Sequence, residues 1–254
     1  DYIGLGTPGP HPYLIGQAEG RSVLDAVRAA RKLDDARLGE QTVVWGHSQG
    51  GHAALWTGIL APSYAPDVEL SGVASLAPAA DATGLVDHLR DVLGGSIFAT
   101  YVVHAYSATY DDVTRNDYVR GAARTTFERT ARRCLDATAL ASALGSVAIG
   151  FDGFVDDLSR GALATRLEEN RPDGRIGAPL LIGQGSADSL ILPEVQDAFV
   201  DDLCSNGQSV DSRVYAGRDH VALVRPDSPL VPELIAWTHD RFAGEPPTPT
   251  CGGV

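Results

Sequence analysis

The chain has 254 residues, 44% of them hydrophobic and 21% charged, with a formal net charge of −13. That length suits one large α/β domain carrying an insertion. The acidic balance argues against nucleic acid or an anionic membrane as a partner, and no apolar run approaches the roughly 18 residues of an integral membrane span.

In chain order, DYIGLGTPGPHPY is glycine- and proline-rich and reads as a loop. GQAEGRSVLDAVRAARKLDD places Val23, Val27, Ala30 and Leu33 at helical spacing, the mark of an amphipathic helix. QTVVWGHS reads as a buried strand, GGHAALWTGILAPSY as a helix ended near Pro62, and LSGVASLAPAAD as the next strand. Further on, APLLIGQGSAD and SRVYAGRDH are strand-like. PEVQDAFVDDLCSNG and VPELIAWTHDRFA are helix-like. This βαβα alternation implies a parallel sheet flanked by helices.

Residues 82–175 break the alternation. TGLVDHLRDVL, SIFATYVVHAYSATY and YVRGAARTTFERTARRCLDATALASAL read as helices, followed by the glycine-punctuated apolar piece AIGFDGFVDDL. No sheet strand is expected among them. An insertion of this length between two strands reads as a helical cap or lid. The α/β core is then residues 1–81 and 176–254, and the cap is residues 82–175. Ile97, Phe98, Tyr101, Val102 and Ala105 form one apolar stripe, read either as cap core or, in part, as the lining of an acyl pocket.

The chemistry concentrates in VVWGHSQGG. A buried strand runs into Gly46-His47-Ser48-Gln49-Gly50, and a helix follows. A G-x-S-x-G turn between strand and helix holds its serine on a strained backbone, clear of the turn. Glycines two residues before and after are expected to leave room for it. The helix N-terminus favours negative charge beside Ser48. A serine nucleophile needs a base, and the base needs an orienting carboxylate. His220 stands in a turn after the last strand-like segment, where such a base belongs. His11, His47, His52, His88 and His104 precede the expected acid position, and His239 falls inside the last helix as a surface residue. Asp188 directly follows an apolar strand, with room for one helix and one strand before His220. Asp219 is the competitor, but adjacent side chains rarely meet in the needed geometry. Asp197, Asp201 and Asp202 read as the solvated face of a helix. The histidines lack H-x-x-x-H or Cys-His zinc spacing, so neither a metal nor a cofactor is called for.

The segments DYIGLGTPGPHPYLIGQAEGRSVLDAVRAAR, GHSQGGHAALWTG, GSADSLILP and RDHVAL resemble the secretory lipase family of lipase-A type, over nearly the whole chain. The resemblance implies an α/β-hydrolase with a helical cap, secreted and acting on carboxylic esters including triacylglycerols, with transient contact at a lipid interface. Ser48, Asp188 and His220 would be its triad. The Gln49 backbone amide would be one oxyanion donor, and the other would come from a loop well upstream of the D-Y-x-G segment. The chain starts at Asp1 and contains no Met. The early strands, that loop and a signal peptide are therefore expected to be missing, leaving an exposed sheet edge or a solvent-open apolar face. A peptidase or acyltransferase on the same scaffold, or a non-catalytic relative or fragment, stays open, because pocket and cap set the chemistry.

Three cysteines remain: Cys134, Cys204 and Cys251. An odd count in a secreted-type protein points to one absent partner. A Cys204–Cys251 disulfide would fix the proline-rich tail, and the resemblance points to the same pairing. Cys134 would then pair with a cysteine further upstream. The alternative is three free thiols in a cytosolic protein.

Overall fold

The computed structural model describes residues 2–90, 94–133, 151 and 155–251. They fall into two compact units. One comprises residues 1–2, 16–81 and 171–254; the other comprises residues 3–15 and 82–170.

The first unit is built on a four-stranded sheet: β1 (Gln41–His47), β2 (Glu69–Leu76), β3 (Leu180–Gly185) and β4 (Val210–Tyr215). The strands lie side by side in chain order, and every pairing is parallel. In register, Val44 faces Val73, Val73 faces Leu180, and Leu180 faces Val210. Helix α1 (Gly16–Ala30) precedes β1, and α2 (Gln49–Tyr64) connects β1 to β2. α7 (Pro193–Ser205) connects β3 to β4, and α8 (Leu230–Phe242) follows β4.

Side-chain alternation along the strands supplies two cores. Val73, Leu180, Ile182 and Val210 pack with Leu55 of α2 and Phe199 of α7. Ala74, Leu76, Leu181 and Tyr215 pack with Leu234 and Trp237 of α8 on the other face. Covering both faces makes β3 buried along its whole length, the pattern of a central parallel strand. At the β1 end of the sheet Trp45 is 47% exposed, its indole N–H donating to Thr238 Oγ1 at 2.9 Å. Among the described residues no strand pairs with the other side of β1.

Two helix boundaries differ from expectation. α1 ends at Ala30, so Leu33 lies beyond it and is 62% exposed instead of continuing the apolar stripe. α2 runs past Pro62 to Tyr64. Pro62 sits in the last turn, where only one amide is forfeited, and the Ala65 N–H still closes the helix on the Ala61 carbonyl at 3.0 Å.

The C-terminal segment is tied down at Cys251. Cys251 forms an antiparallel bridge with Val210, and Cys204 and Cys251 form a disulfide with Cα atoms 5.7 Å apart.

The second unit is helical: α3 (Ala82–His88), α4 (Gly95–Thr109), α5 (Arg124–Ala131) and α6 (Gly161–Glu169). Its described residues contain no sheet strand, only an isolated bridge between Val119 and Val155. Ile97, Val102 and Ala105 of the apolar stripe are buried, and Phe98 and Tyr101 are half-buried. Residues 3–15 join this unit, and the Tyr106 hydroxyl donates to the Leu14 carbonyl at 2.7 Å. Cys134, the latter part of the segment expected as a third helix, and much of AIGFDGFVDDL lie outside the described residues. No helix among the described residues is long and apolar enough to cross a membrane.

Candidate active site

Ser48 stands at the junction of β1 and α2 with φ 58° and ψ −119°, a backbone state that L-residues rarely adopt. Its amide donates to the Leu76 carbonyl of β2 at 2.9 Å, and its carbonyl accepts from the His52 and Ala79 amides. The sharp turn brings residues 46 and 50 together. A Cβ on Gly46 would lie 1.8 Å from the Gly50 carbonyl oxygen. The expectation of equal crowding at Gly50 is not met, because nothing lies within 4 Å of a Cβ built there. Gly50 is already helical, and its side-chain direction opens outward. α2 starts at Gln49, which puts the Gln49 amide at the helix N-terminus next to Ser48.

β3 and β4 deliver the other two groups from their C-terminal ends. The loops after them are stitched together: the Ser186 amide donates to the Tyr215 carbonyl, the Ala187 amide to the Arg218 carbonyl, each at 3.0 Å. Asp188 Oδ1 accepts the Leu190 and Ile191 amides at 2.9 Å, which leaves Oδ2 aimed at His220 Nδ1, 2.8 Å away. His220 Nε2 lies 2.9 Å from Ser48 Oγ. Ser48, His220 and Asp188 therefore form one continuous hydrogen-bonded line. Asp188 is buried. Burial alone would raise its pKa, but the hydrogen bond and charge of His220 and the two backbone amides outweigh it and hold the carboxyl below its ordinary value.

Asp219 does not reach the imidazole; its carboxylate caps the Val221 and Ala222 amides. His239 is exposed on α8, and Asp197, Asp201 and Asp202 are exposed on α7.

Sequence order alone sets His47 and His52 aside, yet both are built into the site. The His47 ring centroid is 4.5 Å from that of His220, and His47 Nε2–H donates to the His220 carbonyl at 2.9 Å. Burial, then the neighbouring His220, holds His47 below its ordinary pKa, so it is the neutral ring that makes this bond. His52 is fully buried against Glu19 of α1, with Nδ1 2.7 Å from Glu19 Oε2, and the Gln49 side chain donates to Glu19 Oε1 at 2.8 Å. Nothing local in the sequence marks this cluster, because it forms only where α1 packs on α2.

Comparison with known proteins agrees with this architecture. A family model described as secretory lipase matches residues 1–250. A secreted triacylglycerol lipase of Malassezia globosa is 26% identical over 245 residues, 91% of this chain and 53% of that protein. A Mycobacterium tuberculosis protein named "probable inactive lipase" is 27% identical over 240 residues, 90% of this chain and 52% of its own. The chain thus spans about half the length of the curated relatives it matches. Among solved structures, Candida antarctica lipase A superposes with a TM-score of 0.79 at 20% identity, covering 95% of this chain and 58% of that one. The fold is that of an α/β-hydrolase, and the chain belongs to the secretory lipase family.

Proposed function

We propose that the chain carries the catalytic centre of a secreted carboxylic-ester hydrolase acting on triacylglycerols or simpler esters. The observation that carries this reading is the unbroken line from Ser48 Oγ through the His220 ring to Asp188, set on a strained strand-to-helix turn. In the proposed reaction Ser48 Oγ bonds to the ester carbonyl carbon while His220 Nε2 takes the serine proton. The Gln49 amide donates to the oxyanion. The C–O bond to the alcohol breaks as His220 returns the proton to the leaving oxygen. Water then attacks the acyl-enzyme, giving its proton to His220, which restores Ser48 as the acid departs. Asp188 holds the ring tautomer with Nδ1 protonated. The disulfide fits an oxidising, extracellular setting. The helical unit, inserted between β2 and β3 and rich in apolar side chains, is proposed as the segment that selects the acyl group.

The test is a series of p-nitrophenyl esters of increasing chain length, given to the full-length protein and to its Ser48→Ala variant. Hydrolysis by the first and a loss of about 10⁶ in kcat in the second is the expected result. A variant with activity near wild type would remove Ser48 as nucleophile. A wild type inert toward esters, amides and acceptor alcohols alike would favour the non-catalytic reading. Activity only on parallel p-nitroanilide substrates, or only with an added acceptor alcohol, would favour the peptidase or acyltransferase reading.

A further inference from the structure

Glu19 is a fully buried carboxylate outside the Ser48–His220–Asp188 line, and its two oxygens have different partners. Oε1 accepts from the Gln49 side chain at 2.8 Å, and Oε2 from His52 Nδ1 at 2.7 Å. Both partners stand in the first turn of α2, on either side of the two glycines that follow the elbow. Burying a carboxylate is costly unless it is paired and hydrogen-bonded. Here the backbone is shaped to allow it: α1 crosses α2 so closely that a Cβ on Gly16 would meet the Trp56 ring at 2.0 Å, and one on Gly20 the Trp56 backbone at 2.9 Å. Glu19 lies between these two glycines on the same helix. A structural bridge between α1 and α2 would be served at any turn of α2. This one grips Gln49, the residue whose amide faces the reacting carbonyl in the mechanism above, and His52, whose amide hydrogen-bonds the Ser48 carbonyl at 3.1 Å.

We propose that Glu19 is a positioning residue for ester hydrolysis: it clamps Gln49 and His52 and so aims the Gln49 amide at the oxyanion of the tetrahedral intermediate. The inference rests on the ester-hydrolase reading. An oxyanion donor contributes only when held at hydrogen-bond distance from the place where charge develops, so loosening it weakens the transition state and spares the ground state.

The experiment uses the full-length protein with a short-chain p-nitrophenyl ester and an alkyl boronic acid, which forms a tetrahedral adduct on a serine nucleophile. Gln49→Leu keeps the backbone amide and removes the clasp; Glu19→Ala removes the clamp from the other side. Each is expected to lower kcat about 10-fold or more with KM little changed, and to weaken the boronate by a similar factor; removal of a whole donor costs about 10²–10³ elsewhere. Glu19→Gln can keep both hydrogen bonds if Gln49 turns its amide over, and it should recover part of the Glu19→Ala loss. If Glu19→Ala fails to fold, Gln49→Leu decides. A folded Gln49→Leu protein with wild-type kcat and boronate affinity, even with a lowered Tm, overturns the proposal and leaves Glu19 a purely structural bridge. Wild-type protein without esterase activity would instead overturn the hydrolase reading, and this inference with it.

Discussion

At the scale of single residues, space and charge around the elbow separate positions that look alike in the sequence. Gly46 and Gly50 are symmetric in the motif, but only Gly46 is pressed against backbone. Gly46→Ala should therefore abolish ester hydrolysis and reduce soluble expression, since the clash is with a carbonyl that cannot move without unseating Ser48. Gly50→Ala should keep hydrolysis within a few-fold of wild type and raise Tm slightly, because alanine is favoured over glycine in a helix by up to about 1 kcal/mol. Equal damage from both substitutions would show that the motif's second glycine has a role outside the space around its Cα. Asp188→Asn keeps the shape but offers the Oδ2 position as a donor to His220. The wrong ring tautomer then faces Ser48, and kcat should fall about 10⁴-fold with little change in far-UV circular dichroism.

Elements were legible in the sequence where their signal is local. The strand-turn-helix around Ser48 shows because an apolar run, a glycine and a helix adjoin within a few residues. Asp188 and His220 could be placed because each follows an apolar strand directly. What escaped depends on contacts between distant segments. Glu19 and His52 are 33 residues apart, and each looks like an ordinary polar helix residue until α1 and α2 are packed together. His47 reads as filler in the motif until the β4 loop brings His220 beside it. Leu33 kept the helical spacing but fell beyond the helix end, because periodicity says nothing of where a helix stops. The tail shows the same division: its proline-rich composition suggested a segment needing a tether, and the disulfide and the bridge to Val210 supply one. Cys204→Ser should cost roughly 2–4 kcal/mol of stability and lower Tm, since the disulfide closes a 47-residue separation in the unfolded chain. Activity at 20 °C should persist, because neither cysteine adjoins Ser48, His220 or Asp188. An unchanged Tm would mean that the β-bridge alone holds the tail.

For the molecule as a whole, groups whose pKa the fold lowers shape the acid limb of stability, His47, His104 and Asp188 among them. His47 has a folded pKa below its ordinary 6.5, so the unfolded chain binds its proton more readily, and stability declines as pH falls below about 6.5. Asp188, also held below its ordinary value of 3.8, contributes stability that is present above that value and is lost as pH falls through its folded pKa. Urea midpoints measured from pH 8 to pH 3 should therefore decline in two stages, and His47→Gln should shrink the first, which His104, also held below its ordinary value by burial, shares. An upper stage unaffected by that substitution would mean that His47 does not contribute to it.

The sheet's strand order repeats the order of the chain, so each strand can dock on its predecessor as it leaves the ribosome. The proposed reactive line does not share that economy: Ser48 and His220 are 172 residues apart, and the imidazole arrives only after β4, the last of the described strands. Ser48, the proposed nucleophile, is thus synthesised well before the group that would activate it. During refolding, sheet formation should run ahead of esterase activity, the lag closing as β4 docks. On the proposed reading, Ser48 stays chemically silent until β4 has docked and His220 stands beside it.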